Sequence, residues 1–259
     1  MSGKIVAIIQ ARTGSTRLPQ KVLQPLLGKP MLERMLERVK RAKTLDAIVV
    51  ATTNMPEDDA VEDIARKSGV GVFRGSEKDV LDRYYQAAKE ARADIVVRLT
   101  GDCPLHDPNV IDEVVARFLD ADGSFDHVGT PKNYPEGLDT EVFTLASLES
   151  AWKNAKLPSE REHVTPYFIN HPELFRGDAW ESGEGDNSKM HWSVDTEADF
   201  RFVSEVYGAL YKEGQCFHKD DVVGLLDNRP ELRDINMGGT GREGYEKSLK
   251  EDEKFKRHG

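Results

Sequence analysis

Apolar residues fall along this chain in two alternating rhythms. Lys4 to Gln10 (KIVAIIQ) is a β-branched run without polar alternation, which predicts a strand buried on both faces. From Pro30 the rhythm changes: Met31, Leu32, Met35, Leu36 and Val39 recur at helical spacing with charged residues between them, and Pro30 suits a first helical turn. The alternation repeats. Ala47 to Thr52 predicts a strand and Pro56 to Ser68 a helix; Gly71 to Gly75 a short strand and turn, Asp79 to Ala91 a helix; Asp94 to Leu99 a strand, Pro108 to Leu119 a helix. Strands that are apolar throughout, alternating with amphipathic helices, imply a parallel sheet covered on both faces. In open sheets of this kind ligands bind beyond the carboxyl ends of the strands. The loops at 10–21, 52–58 and 100–108 all follow strands and are expected to converge there.

After about residue 120 the pattern is less regular. Residues 133–139 are turn-rich, Glu141 to Phe143 predicts a short strand and Leu145 to Asn154 a helix. Ser159 to Asn170 reads as a mixed polar helix, Gly177 to Ser188 as an exposed loop, Met190 to Val194 as a strand and Glu197 to Tyr211 as a helix. Glu243 to Gly259 is charged and predicts a fraying surface helix.

Composition narrows the function classes. A chain of 259 residues with 38% hydrophobic content can bury an ordinary core. A formal net charge of -10 argues against a nucleic-acid binder but leaves room for a local basic site. Cys103 and Cys216 fit neither a zinc spacing nor a disulfide framework. With no signal stretch and no apolar run long enough to span a membrane, a soluble cytoplasmic protein is the expectation.

The densest chemistry follows the first strand. Arg12, Arg17 and Lys21 lie in one loop with Gly14 and Ser15 between the arginines. Glycine lets the backbone approach a phosphate, arginine offers a planar fork and lysine a point charge. The segment lacks the second glycine of a Walker A loop and the spacing of a dinucleotide fingerprint. A solvated basic loop is the alternative, and its position directly after a buried strand favours phosphate binding.

Gln10-Ala-Arg-x-Gly-Ser-x-Arg-Leu-Pro-x-Lys-x-Leu23 resembles the signature of the cytidylyltransferases that make CMP-activated sugar acids, the CMP-acylneuraminate and CMP-Kdo synthetases. Val72-Phe-Arg-Gly-Ser76, Asp79-Val-Leu-Asp-Arg-Tyr84, Thr100-Gly-Asp-Cys-Pro-Leu105, Leu157-Pro-Ser-Glu-Arg-Glu-His-Val-Thr165 and Trp192-Ser-Val-Asp195 are most similar to the branch of spore coat polysaccharide biosynthesis protein SpsF. The resemblance runs to about residue 250. It implies an α/β, Rossmann-like nucleotidyltransferase fold: a mixed, mostly parallel sheet with helices on both faces. One domain is expected over 1–240, with 131–188 as a region for acceptor binding and dimerisation, and 241–259 as a charged tail.

The resemblance further implies transfer of CMP from CTP to an anionic sugar-acid acceptor, release of pyrophosphate, a magnesium cofactor and a homodimer. It places catalytic roles on Arg12, Lys21, Asp102 and Asp195, the two aspartates as metal ligands. Gln10, Ala11, Arg12, Gly14, Ser15, Arg17, Lys21, Thr52, Thr53, Arg74, Asp82, Arg98 and Thr100 are expected around the nucleotide. Arg74, Asp82, Arg83, Tyr134, Glu136, Asp139, Glu141, Arg161, His163, Thr165 and Tyr167 are expected around the acceptor, with His163 and Asp139 as candidate bases. Read from the residues alone, Asp102 suits either a loop hydrogen bond or a metal, and Asp195 suits a helix cap, since Thr196-Glu197 opens a helix. A glycosyltransferase consuming a nucleotide sugar and a non-catalytic nucleotide-binding protein are the competing functions. Neither the Asp102 nor the Asp195 segment is an Asp-x-Asp, which weighs against the first, and the retained aspartates and loop cations weigh against the second.

Overall fold

The computed structural model describes residues 3–237 and 243–258. β1 (Ile5–Gln10) leads through a long loop and a 3-10 turn (Lys21–Leu23) into a hairpin, β2 (Pro25–Leu26) and β3 (Lys29–Pro30), and then α1 (Met31–Val39). β4 (Ala47–Thr53), α2 (Asp59–Lys67), β5 (Gly71–Gly75), α3 (Val80–Glu90), β6 (Ile95–Thr100) and α4 (Pro108–Asp120) follow in strict alternation. The rest is β7 (His127–Gly129), β8 (Glu141–Thr144), α5 (Leu145–Asn154), α6 (Pro158–His163), α7 (Pro166–Asn170), β9 (Gly177–Asp178), α8 (Glu197–Leu210), α9 (Lys219–Asn228) and α10 (Glu243–His258).

The strands order as β5-β4-β1-β6-β8-β7-β9. β5, β4, β1 and β6 are parallel, β8 is antiparallel to both neighbours, and β7 pairs parallel with β9, so β8 alone runs against the rest of this sheet. The pleat of β1 explains the two layers. Ile5, Ala7 and Ile9 pack with α1, α4 and α8, while Val6 and Ile8 pack with α3 and α5 on the other face. All five apolar positions of α1 are fully buried. Burial of each such side chain stabilises by roughly 1.5–3 kcal/mol.

Three sequence expectations give way. Residues 190–194 are extended but join no strand. They bridge loops instead, through Glu136 N to the Met190 carbonyl (3.1 Å), Trp192 N to the Glu136 carbonyl (2.8 Å) and Val194 N to the Asp102 carbonyl (2.8 Å). The helix expected over 159–170 breaks into α6 and α7 at Val164, whose φ of 70° is unfavourable for a β-branched residue, just before Thr165-Pro166. The expected fraying tail is a helix docked on α6, with Ser248 and Asp252 buried. The expected domain boundary at 240/241 lies outside the described residues. No helix among the described residues is long and apolar enough to cross a membrane.

Candidate active site

The chain passes from β1 to β4 and β5 on one side, then returns to β6 on the other. The strand order therefore reverses beside β1, and a crevice opens there at the carboxyl ends. The loops after β1 and β6 meet in it. Gly101 N donates to the Gln10 carbonyl at 2.8 Å, and a Cβ on Gly101 would lie 2.8 Å from the Ala11 Cβ and 2.9 Å from that carbonyl. Only glycine allows so close an approach.

A buried carboxylate holds the first loop. Asp58 accepts from Thr13 N (2.7 Å), from the Thr13 hydroxyl (2.8 Å) and from the Thr53 hydroxyl. The Thr13 carbonyl in turn accepts from Ser15 N (2.8 Å) and Gln20 N (3.0 Å), closing the loop on itself. The chain then delivers Lys21 to the centre of the crevice. Lys21 Nζ donates to Asp102 Oδ2 at 2.8 Å, Asp195 Oδ1 at 2.9 Å and the Val194 carbonyl at 2.7 Å. Arg17 Nη2 lies 2.8 Å from the same Asp195 oxygen.

The electrostatics follow from that junction. Burial works against the charge on Lys21, but Asp102 and Asp195 outweigh it and hold its pKa above the ordinary lysine value. Burial would likewise raise Asp102; the Lys21 charge and hydrogen bond reverse this and hold the carboxyl well below its usual range. Asp195 is not a helix cap. Thr196 caps α8, in a capping box with Asp199, which leaves the Asp195 carboxylate for the cations. Both carboxylates thus reach one small cation through oxygen donors, an arrangement that suits a hard divalent ion such as magnesium. No cluster of three His, Cys, Asp or Glu side chains able to hold a metal occurs among the described residues. Phosphate oxygens and water would complete such an ion's shell.

The cleft around this junction has a volume of about 300 Å³. Gln10, Ala11, Arg12, Gly14, Ser15, Arg17, Lys21, Asp102 and Asp195, all among the residues expected around the nucleotide or the metal, line it. Arg83 and His163, expected near the acceptor, line the same cleft, as do Glu162, Gly244 and Lys247, which the sequence reasoning did not single out. Arg83 is 2% exposed; its Nη1 donates to the Ser76 carbonyl at 2.6 Å, while its Nε has no partner among the described residues. Burial pushes its pKa down, and an anionic or carbonyl ligand would relieve that penalty. Burial also lowers the pKa of His163, against the opposing charge of Glu162, so its imidazole is neutral near neutral pH.

Other expected residues lie elsewhere. Thr52 and Thr53 are fully buried under the loop, Thr53 acting through Asp58. Arg74 folds back on the Thr53 and Met55 carbonyls and on Asp59 and Glu62. Asp82 accepts from Trp152 Nε1 at 2.8 Å. Arg98 pairs with Glu141 and reaches Gln10 Oε1 at 3.4 Å, and Thr100 contacts the buried Cys103 thiol. Arg161 clamps Asp79, Tyr134 bonds Glu113, and Tyr167 packs against His171 and Phe175. Thr165 turns back on the His163 carbonyl at 3.5 Å. Glu136 and Asp139 line a second cavity of about 700 Å³, where Glu136 pairs with His191. A third cavity, about 510 Å³, opens between α1 and residues 213–217, where the two buried cations, Arg34 and Arg38, are already spent on carbonyls, Glu37 and aromatic rings.

A cationic loop and two aspartates at the switch point of a mostly parallel sheet define a nucleotidyltransferase. The cytidylyltransferase family profile matches residues 6–214. Spore coat polysaccharide biosynthesis protein SpsF of Bacillus subtilis is 35% identical over 233 residues, 88% of this chain and 95% of that protein. The 3-deoxy-manno-octulosonate cytidylyltransferase of Geobacter metallireducens is 38% identical over 179 residues, 68% of this chain and 65% of that protein. The structure of a cytidylyltransferase from Leptospira borgpetersenii superposes with a TM-score of 0.84 at 37% identity, covering 92% of this chain and 98% of that one. The chain belongs to the cytidylyltransferase family, and is a CTP-dependent nucleotidyltransferase.

Proposed function

We propose that the protein transfers CMP from CTP to an anionic sugar acid, releasing pyrophosphate, for the assembly of a surface polysaccharide. One observation carries this reading: Arg12, Arg17 and Lys21 converge with Asp102 and Asp195 in a single cleft beyond β1 and β6. Arg12 and Arg17 bind the triphosphate. Lys21 and Arg17 together balance the two aspartates, and the flexible Lys21 stem lets its ammonium serve phosphate oxygens when CTP binds. Magnesium, held by Asp102 and Asp195, would neutralise phosphate charge and polarise the α-phosphate when bound.

An acceptor oxygen attacks the α-phosphorus, its bond to the bridging oxygen breaks, and pyrophosphate leaves. The acceptor hydroxyl's proton passes to a base, for which the neutral His163 in the cleft wall is the candidate. The names of SpsF and the octulosonate enzyme support a sugar-acid acceptor and a polysaccharide pathway. Use of CTP supports the cytoplasm as the place of reaction. A dimer contact through residues 131–188 is supported by Ile169 and Leu174, large apolar residues 64% and 57% exposed.

The test is pyrophosphate release with each of the four nucleoside triphosphates against a panel of sugar acids, with magnesium and with a chelator. Release with CTP, a sugar acid and magnesium together supports the reading. Release that favours another triphosphate, or none with any acceptor despite CTP binding, contradicts it.

A further inference from the structure

α10 lies beyond residues 6–214 that match the family, yet it forms part of the cleft. Its attachment is specific. Ser159 donates from N and Oγ to the two Asp252 carboxylate oxygens at 2.9 and 2.6 Å. Ser248 Oγ donates to Glu162 Oε2 at 2.6 Å and lies 3.1 Å from His163 Nε2, while the Tyr245 ring stands edge-on to His163 at 5.3 Å. Ser248 and Asp252 are only 1% and 4% exposed. One turn apart, they fix the register of the helix on α6.

That register sets what reaches the cleft. Glu162 and His163, the residues Ser248 holds, are themselves cleft residues, so the adjacent Lys247 is carried to the rim beside Arg12, Arg17 and Lys21. Gly244 opens the wall there, since among the described residues a Cβ at that position would meet nothing nearer than His163 Cε1 at 4.0 Å. The loop cations are already engaged, Arg12 with Glu77, and Arg17 and Lys21 with Asp195. Lys247 is exposed and makes no hydrogen bond or ion pair among the described residues. Among the described residues it is an uncommitted ammonium on an anchored backbone.

We propose that Lys247 binds the phosphate oxygens of CTP, which makes the C-terminal helix a working part of the active site. The proposal rests on the reading of the cleft as the CTP site. A triphosphate carries more charge than one divalent ion neutralises, and a fourth cation brought from outside the loop supplies part of the difference.

The test uses the full chain with Lys247→Ala, Lys247→Glu and Lys247→Arg, and titrates CTP with magnesium by calorimetry. Lys247→Ala is expected to weaken CTP binding about tenfold, the size of one charge-assisted contact. Lys247→Glu should weaken it further and Lys247→Arg should restore most of it. Thermal midpoints should not move, because the side chain is exposed. Unchanged CTP affinity in Lys247→Glu would overturn the proposal. So would equal losses in the alanine and arginine variants, which would point to packing rather than charge. Failure of the unmodified protein to bind CTP would instead overturn the reading of the cleft itself.

Discussion

Asp58→Ala tests how the phosphate loop is held. Asp58 is 2% exposed and its two oxygens take three donors, the Thr13 N–H and the Thr13 and Thr53 hydroxyls; Thr13 is itself 4% exposed and Thr53 fully buried. Hydrogen bonds to a charged partner contribute about 1.5–3 kcal/mol each, and donors left unmet in the interior cost about 1–3 kcal/mol. Water entering the vacated space recovers part of this, so the expected loss of stability is about 4 kcal/mol. Thr53→Val removes one of the three donors and should cost about 1.5 kcal/mol alone, yet almost nothing once Asp58 is gone. Urea unfolding of the two single variants and the double variant measures both quantities. CTP titration under native conditions should show weaker binding in Asp58→Ala, because the loop that carries Arg12 and Arg17 loses its tether. A loss below about 1 kcal/mol in Asp58→Ala, or strict additivity in the double variant, would refute the reasoning.

Three further outcomes are expected. Asp102→Asn should lower magnesium-dependent turnover about a thousandfold, with circular dichroism showing the native fold retained and a lower thermal midpoint from the lost Lys21 pair; normal turnover would remove Asp102 from the catalytic machinery. Gly137 has a φ of 97°, and a Cβ there would sit 2.6 Å from both Ser193 N and the Trp192 carbonyl carbon, so Gly137→Ala should destabilise by about 3 kcal/mol in urea unfolding. His106 is fully buried with neither ring nitrogen partnered among the described residues, and burial pushes its pKa down to about 3. The unfolded chain therefore binds a proton that the folded chain refuses. Stability is fully present above the unfolded histidine pKa and falls as pH drops from about 6.5 towards 3, by about 2 kcal/mol at pH 5. In His106→Leu that share of the pH dependence should vanish from urea unfolding measured between pH 8 and 5.

Legibility in the sequence tracked how local the determinants are. The alternation through residue 120 was readable because each strand is apolar on both faces and each helix carries its own stripe, as in α1. The cations of the first loop and Asp102 were readable because strand ends in such a sheet share an edge, whereas Asp195 follows no strand and was placed at the site only by the resemblance. Met190–Val194 misled because a stretch of alternating apolar and polar residues does not state its partner, and here the partners are the Glu136 and Asp102 backbones. Thr53 and Arg74 lie at the ends of β4 and β5 and Asp82 in the first turn of α3, but Asp58, Asp59, Glu62 and Trp152 hold their side chains. Thr52 itself is simply sealed in the sheet. Asp58 and Lys247 carry no local signal. One acts through a loop far away in sequence, and the other reaches the cleft only because Ser159 and Asp252 meet.

The central claim is transfer of the cytidylyl group itself from CTP to a sugar acid. Its most direct measurement is the fate of label from α-labelled and γ-labelled CTP, incubated with magnesium, the protein and the sugar-acid panel. Cytidylyl transfer puts α-label in a CMP-linked sugar acid and γ-label in pyrophosphate. Label from the γ-position on the acceptor, or α-label recovered only as free CMP or unchanged CTP across the panel, would contradict it.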